Sequence, residues 1–216
     1  ALNRDINHIP SLIAMAKFEY GRYAFESARD YAERAIKNVT IYNERVQSGE
    51  VYYVYAQILE ALGEYKEAYD YYCKASWAAD SVGKAMTRIA LLDIRNKEYK
   101  AAIKHADTAL DYGRKNSLAK TARVIAMKAL GLDAAEIINE ELTADPLNHY
   151  MRYLSDGENF YGIMDSSPLE TCLDIVFDFD AMGLYKENVK LLGGLIESRP
   201  ETAQPMLFYA LGYYKY

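Results

Sequence analysis

Chemistry needs side chains that can ligate, attack or exchange protons, and this chain offers few of them at useful spacing. Its three histidines, His8, His105 and His149, lie far apart and none has a second ligand at i+3 or i+4, so neighbouring residues supply neither a zinc site nor a nucleophile paired with a base. Cys73 and Cys172 are widely separated, with no C-x-x-C and no adjacent histidine. That excludes a disulfide-rich scaffold and leaves two reduced, buried thiols. Asp174 and Asp178 share a helical face at i, i+4 with Asp180 nearby; paired carboxylates can hydrolyse glycosides, while solvated helix charges account for the same spacing. The glycines of ALGLDAA and LLGGLIE form neither G-x-G-x-x-G nor a P-loop, and the sequon Asn38-Val39-Thr40 has meaning only in a secreted eukaryotic protein. The expectation is a non-enzymatic chain with no catalytic residue, no metal and no cofactor.

Composition narrows the remaining classes. The 216 residues carry 31 Asp plus Glu against 25 Lys plus Arg, and the excess is spread along the chain, which argues against nucleic acid as a partner. Hydrophobic residues make up 51% and charged residues 26%, a globular balance with no apolar run long enough to cross a bilayer. ALNRDINHIP has no signal-peptide pattern, so a cytoplasmic, membrane-free location is expected, with the reservation that an export signal could precede this segment in a longer parent. Tyrosine is over-used, at 21 against 6 Phe and 1 Trp. A side chain that fills space yet keeps a polar tip suits shallow cores with partly exposed faces, and so an elongated fold.

The elements that must position any site are helices. No proline falls between Pro10 and Pro146, strong helix formers dominate, and apolar residues recur at i, i+3, i+4 and i+7. The helices also repeat. Gly49–Val82 and Gly83–Asn116 are consecutive units of 34 residues. In the first, Tyr52, Tyr55, Ala56 and Leu59 form a stripe, Gly63 and Tyr65 mark a turn, and Ala68, Tyr72 and Ala75 form a second stripe. The second unit places Met86, Ile89, Ala90 and Asp93, then Lys97 and Tyr99, then Ala102, Ala106 and Ala109 at the same points. Asp93 departs from the apolar pattern.

With a large residue, a Leu-Gly pair, a Tyr and then spaced alanines, these units resemble tetratricopeptide repeats. The resemblance implies an all-α solenoid of antiparallel helix pairs stacked into a superhelix, with alanines allowing close approach and tyrosines filling the gap to the next pair. An earlier unit fits Ile9–Tyr42 (Leu12, Met15, Ala16, then Ala28, Ala32, Ala35), followed by six extra residues, Asn43 to Ser48. Beyond Asn116 the stripe Leu118, Ala122, Ile125, Ala126, Ala129 is displaced although Gly131 keeps the period, which marks a degenerate fourth unit. The expected organisation is repeats over 1–144, an irregular connection with a short helix over 145–168, and a further repeat plus a truncated half repeat over 169–216. In that last repeat Asn188 replaces the small alanine. The half repeat, PMLFYALGYYKY, leaves an apolar face uncovered, and a fragment of a larger protein is the expectation.

A second resemblance covers nearly the whole chain. AERAIKNVTIYN, SGEVYYVYAQILEALGEYKEAYDYYCKASW and ALGLDAAEIINEELTADPLNHY are similar to the C-terminal repeat region of large bacterial proteins of uncharacterised function whose upstream domains resemble galactose mutarotase and other carbohydrate-binding β-sandwiches. It implies a carbohydrate-related parent and assigns no catalytic residue here.

In tetratricopeptide stacks the first helices of each pair line a groove that reads peptides or partner helices. By position that groove presents Glu50, Tyr53, Gln57 and Glu60 from one unit and Lys84, Thr87, Leu91 and Arg95 from the next, with Lys84 and Arg88 a small basic spot. The clamp for chaperone tails needs Lys and Asn where Tyr53 and Gln57 stand, and is absent. The candidate partner-binding set is therefore Tyr53, Gln57, Lys84, Thr87, Arg88 and Arg95. The expected partner is a protein or peptide segment, with other domains of the same parent as candidates. Tyr53, Tyr69 and Tyr71 fall off the core stripe and are either docking residues or half-exposed packing residues, with Tyr53 facing the groove. The function expected is a scaffold or docking module in a larger bacterial protein; the alternatives are a free-standing peptide-binding adaptor and a helical glycan-processing enzyme.

Overall fold

The computed structural model describes residues 5–42, 48–157, 159–162, 168–202 and 205–215, and among them every regular element is a helix. The order is α1 (Ile9–Gly21), α2 (Phe25–Tyr42), α3 (Glu50–Ala61), α4 (Tyr65–Ala75), α5 (Val82–Arg95), α6 (Tyr99–Tyr112), α7 (Ser117–Ala129), α8 (Ala135–Ala144), α9 (His149–Ser155), α10 (Pro168–Ala181), α11 (Tyr185–Ser198) and α12 (Pro205–Lys215). Single 3-10 turns lie at Phe160–Gly162 and Pro200–Thr202. The chain forms two compact units, Ala1–Ala90 with Lys104–Asn116 and Leu91–Ile103 with Ser117–Tyr216. The division runs through α5 and α6.

Five helix pairs close through one and the same turn. Tyr23, Gly63, Lys97, Gly131 and Gly183 each adopt the left-handed conformation, with φ of 61°, 81°, 64°, 72° and 70°. At each, the following N–H bonds back to the carbonyl five residues earlier: Ala24 to Glu19, Glu64 to Leu59, Glu98 to Asp93, Leu132 to Met127 and Leu184 to Phe179. The left-handed residue's own N–H bonds to the carbonyl three before it, completing the double bond that ends a helix and satisfies its last carbonyls. Gly63, Lys97 and Gly131 follow at the 34-residue period, and Tyr23 precedes Gly63 by one period plus the six extra residues. Between Gly131 and Gly183 the excess is occupied by α9 and the turn Phe160–Gly162.

The expected stripes form the core of the first unit. Leu12, Ala16, Ala28, Ala32, Ala35, Ala56, Leu59, Ala68, Tyr72 and Ala75 are fully buried, and Tyr52 and Tyr55 nearly so. A methyl group at Ala28 and Ala68, one turn into each second helix, lets the pair close to backbone contact. Asn188 stands at the matching place in α11, buried, and its amide donates to the Val176 carbonyl at 3.2 Å; a hydrogen bond replaces the methyl contact. The fourth pair departs further, because Glu136 takes the alanine's place and is exposed while Ala134 and Ile138 turn inward against Val124 and Met151. Of the stripe expected on α7, Ala122, Ile125 and Ala126 are buried, whereas Leu118 is half-buried and Ala129 exposed. Thr121 and Val124 take their share of the core.

Polar stitches tie the heads of first helices to residues later in the chain. The Asn38 amide donates to the Asn7 carbonyl at 3.2 Å just ahead of α1. Asp80 accepts from Ser48 Oγ at 2.6 Å and from Gly49 N at 3.0 Å just ahead of α3. Asn116 donates to Thr87 Oγ1 in α5 at 2.8 Å, and Asn148 to Ser117 Oγ at the head of α7 at 3.1 Å.

Candidate functional site

The first unit assembles a polar cluster from α1, α3, α4 and α5. The Glu60 carboxylate is buried, accepting at Oε2 from the Tyr72 hydroxyl at 2.7 Å and from Arg88 Nε at 3.2 Å, and at Oε1 from Arg88 Nη2. Burial pulls the Arg88 guanidinium down, but Glu60 more than offsets it and Arg88 is held as a cation. The Tyr72 phenol is held well above its usual range by burial and by the adjacent Glu60 charge. Beside it lies Tyr53, its ring 5.5 Å from that of Tyr72, with the Lys84 ammonium 4.6 Å above its centroid. Such a cation over an aromatic face stabilises by about 0.5–1 kcal/mol at an exposed site. Burial, opposed for Tyr53 by the Arg88 charge, raises the phenols of Tyr53 and Tyr20, so both remain neutral hydroxyl donors. Neither hydroxyl has a hydrogen-bond partner among the described residues.

The six expected groove residues are not one cluster. Tyr53, Lys84 and Arg88 meet as described, and Gln57 is half-buried one turn along α3 from Tyr53. Arg88 is corrected from a free basic spot to half of an internal ion pair, and Leu91 is fully buried. Thr87 is turned inward at 5% exposure, its hydroxyl donating to the Gly83 carbonyl and accepting from Asn116. Arg95 belongs to the second unit, where Nη1 donates to the Asp180 carbonyl at 2.8 Å and Nη2 to the Tyr185 hydroxyl at 2.7 Å; it caps the end of α10. Tyr71 is absorbed by packing, edge-on to Tyr55 at 4.7 Å and under Lys74 at 4.0 Å. Tyr69 is half-buried with contacts of its own. The residue missed from the sequence is Tyr20. It stands three places before Tyr23 as Glu60 stands three before Gly63, an equivalence visible once the left-handed residues are aligned.

In the second unit, Asp178 accepts from the Tyr150 hydroxyl at 2.5 Å while Asp174 is exposed. Burial, with that bond to Asp178, raises the Tyr150 phenol. A carboxylate pair for glycoside chemistry would need both groups directed at one bond, and here one is committed to a tyrosine. Cys172 is fully buried and its thiol is pushed up to about 12 by burial, the environment of an inert cysteine. Among the described residues no three of His, Cys, Asp and Glu gather as metal ligands, and no helix is long and apolar enough to cross a membrane. A cleft of about 1240 Å³ lies between α9 and α11, with Tyr153, Tyr161, Glu187 and Gly193 on its walls.

The solved structure of YrrB, a TPR protein with an unusual peptide-binding site, has this arrangement of helices, with a TM-score of 0.54 over 100% of this chain and 96% of that one at 16% identity. The fold is a tetratricopeptide-type α-solenoid. No family model matches the chain. The structure of Naa15/Naa10 bound to HypK-THB gives a TM-score of 0.47 at 14% identity, over 99% of this chain and 35% of that one. Neither likeness bears on an upstream mutarotase-like domain. Within the solenoid, α1, α3 and α5 are first helices of their pairs, and they supply Tyr20, Tyr53, Lys84 and Arg88. Tyr72 reaches Glu60 from a second helix and closes the floor.

Proposed function

We propose that the chain is a docking module that binds a protein segment on the first-helix face of its first unit, around Tyr53. The observation that supports this most is the state of the polar groups there. The strong charges, Glu60 and Arg88, are spent on each other, whereas the hydroxyls of Tyr20 and Tyr53 have no hydrogen-bond partner among the described residues and the Lys84 ammonium lies over the Tyr53 ring without an ion pair there. Rigid amphipathic rings with unspent donors are what docking surfaces favour, since each ring buries area at small entropic cost. In this reading the segment comes from another domain of a longer parent, for which the chain is a scaffold, and a carbohydrate-related parent is suggested by the sequence resemblance alone. The test is selection from a displayed random-peptide library on the 216-residue chain, with recovered peptides then measured against Tyr53→Ala. Recovered peptides should lose at least tenfold in affinity on that variant. Affinities that do not respond to Tyr53→Ala would place docking elsewhere and overturn the reading.

A further inference from the structure

Two of the five left-handed turns place a residue other than glycine at the left-handed position, Lys97 and, between α1 and α2, the bulkier Tyr23. The left-handed position at α3/α4 is Gly63, whereas at α1/α2 it is Tyr23. A bulky side chain there carries a backbone penalty that glycine avoids. The side chain does not repay it by burial, since Tyr23 is 82% exposed. Around it stand Phe18, 56% exposed under the Arg22 guanidinium, and Phe25, whose ring lies 6.1 Å from Tyr23 and 5.5 Å from Tyr20. Tyr20 is shared by the two groups: its ring lies 5.5 Å from Phe25, and the Glu60 and Arg88 charges both act on its phenol. Strained, solvent-held residues cluster where a protein binds something.

Charge decides what the corner and the platform bind together. Arg88 is neutralised by Glu60, Lys17 by Glu50 and Arg22 by Glu19. Asp80 lies near Lys84, but its carboxylate is engaged by Ser48 and Gly49. Lys84 makes no ion pair among the described residues and lies on the Tyr53 ring instead. One unspent cation and two phenolic donors call for an acceptor bearing negative charge, and the exposed rings of Phe18 and Tyr23, with half-buried Phe25 beside them, call for an apolar side chain next to it. Resting on the docking reading above, we infer that the partner is an extended acidic segment with an aromatic residue close behind its carboxylates, the carboxylates meeting Lys84, Tyr20 and Tyr53 and the aromatic ring seating on the Tyr23 corner.

The probe is the fluorescein-labelled peptide acetyl-SGEEPFSG-amide with three controls: Gln for both Glu, Lys for both Glu, and Ser for Phe. Each is titrated by anisotropy against the intact chain, Lys84→Gln, Tyr23→Gly and Tyr53→Ala. The acidic aromatic peptide should bind at least tenfold tighter than each control. Lys84→Gln should remove most of the preference for Glu over Gln, and Tyr23→Gly should weaken the Phe peptide at least fivefold while leaving the Ser control unchanged. Tyr23→Gly should keep or raise the melting temperature, because glycine relieves the backbone; a fall of 5 °C or more would make the ring structural and overturn the inference. Equal binding of the Gln or Lys controls, unchanged affinity of Tyr23→Gly, or no binding of the acidic peptide would also overturn it. The docking reading survives those failures if library peptides of other chemistry still depend on Tyr53, and falls only if none does.

Discussion

Replacing Glu60 by alanine tests the assignment of the central cluster most directly. The substitution removes the acceptor of three hydrogen bonds. It leaves the Tyr72 hydroxyl in a fully buried residue without its partner and the Arg88 side chain, 22% exposed, without its carboxylate. Removing one member of a buried ion pair costs about 3–5 kcal/mol, because the surviving charge is left desolvated. Arg88 can recover some water through its exposed edge, which brings its share to about 2 kcal/mol on the same scale. The stranded Tyr72 hydroxyl adds about 1–2 kcal/mol. The sum, about 3–4 kcal/mol, lowers the melting temperature by roughly 10 °C for a chain of this length. Urea unfolding followed by circular dichroism measures it. Glu60→Ala with Tyr72→Phe then forms a cycle in which the double variant should be less destabilised than the two single losses added together. A loss under 1 kcal/mol, or strict additivity, would show that Glu60 is not the shared acceptor and that Arg88 is available to a ligand after all.

Two further outcomes follow from other features. A Cβ at Gly194 would run into the ring and hydroxyl of Tyr161, whereas at Gly193 it meets nothing within 4 Å; Gly194→Ala should therefore cost about 1–3 kcal/mol through overpacking while Gly193→Ala stabilises α11 by up to about 1 kcal/mol, as read from paired urea midpoints. Tyr55, Tyr72, Tyr150, Tyr153, Tyr161 and Tyr214 all have raised phenol pKa values, chiefly from burial. The unfolded chain therefore loses these protons first as pH climbs past about 10, so stability should be level through neutral pH and fall steeply above that point. Tyr72→Phe, though less stable at neutral pH, should show a shallower alkaline limb in melts taken across that range.

Much of the fold was legible because it rests on residue type at fixed spacing. Alanine at 28, 68 and 102, and glycine at 63, 131 and 183, suit close helix approach and a left-handed turn, and they announce both period and turn. Tyr23 and Lys97 take the same backbone conformation without being glycine, so their turns had to be found by counting from their neighbours. Register in the fourth pair was harder to read. Its packing is recovered by shifting Ala134 and Ile138 inward while Glu136 occupies the alanine's place, and no single residue type signals that shift. The site was half legible. Tyr53 stood out as a tyrosine off the core stripe, and Lys84 followed from the repeat. That Arg88 would be spent on Glu60, and Arg95 on the end of α10, depends on contacts between residues 28 and 85 positions apart. Periodicity describes which face a side chain occupies; it is silent on which opposite charge reaches it first.

The stitches between first helices have a direction. Asp80, Asn116 and Asn148 each reach back from ahead of one first helix toward the opening turns of the preceding one, where amide and hydroxyl groups have few partners of their own. In a stack whose stability is shared between neighbours, the head of one helix is thereby held by a residue that belongs to what comes after it. Loss of a later pair unfastens the opening turn of its predecessor, whereas loss of an earlier pair leaves its successor's fastening in place. Within each compact unit, fraying should therefore travel more readily from the C-terminal side toward the N-terminal side than the reverse, a polarity set by three short polar side chains.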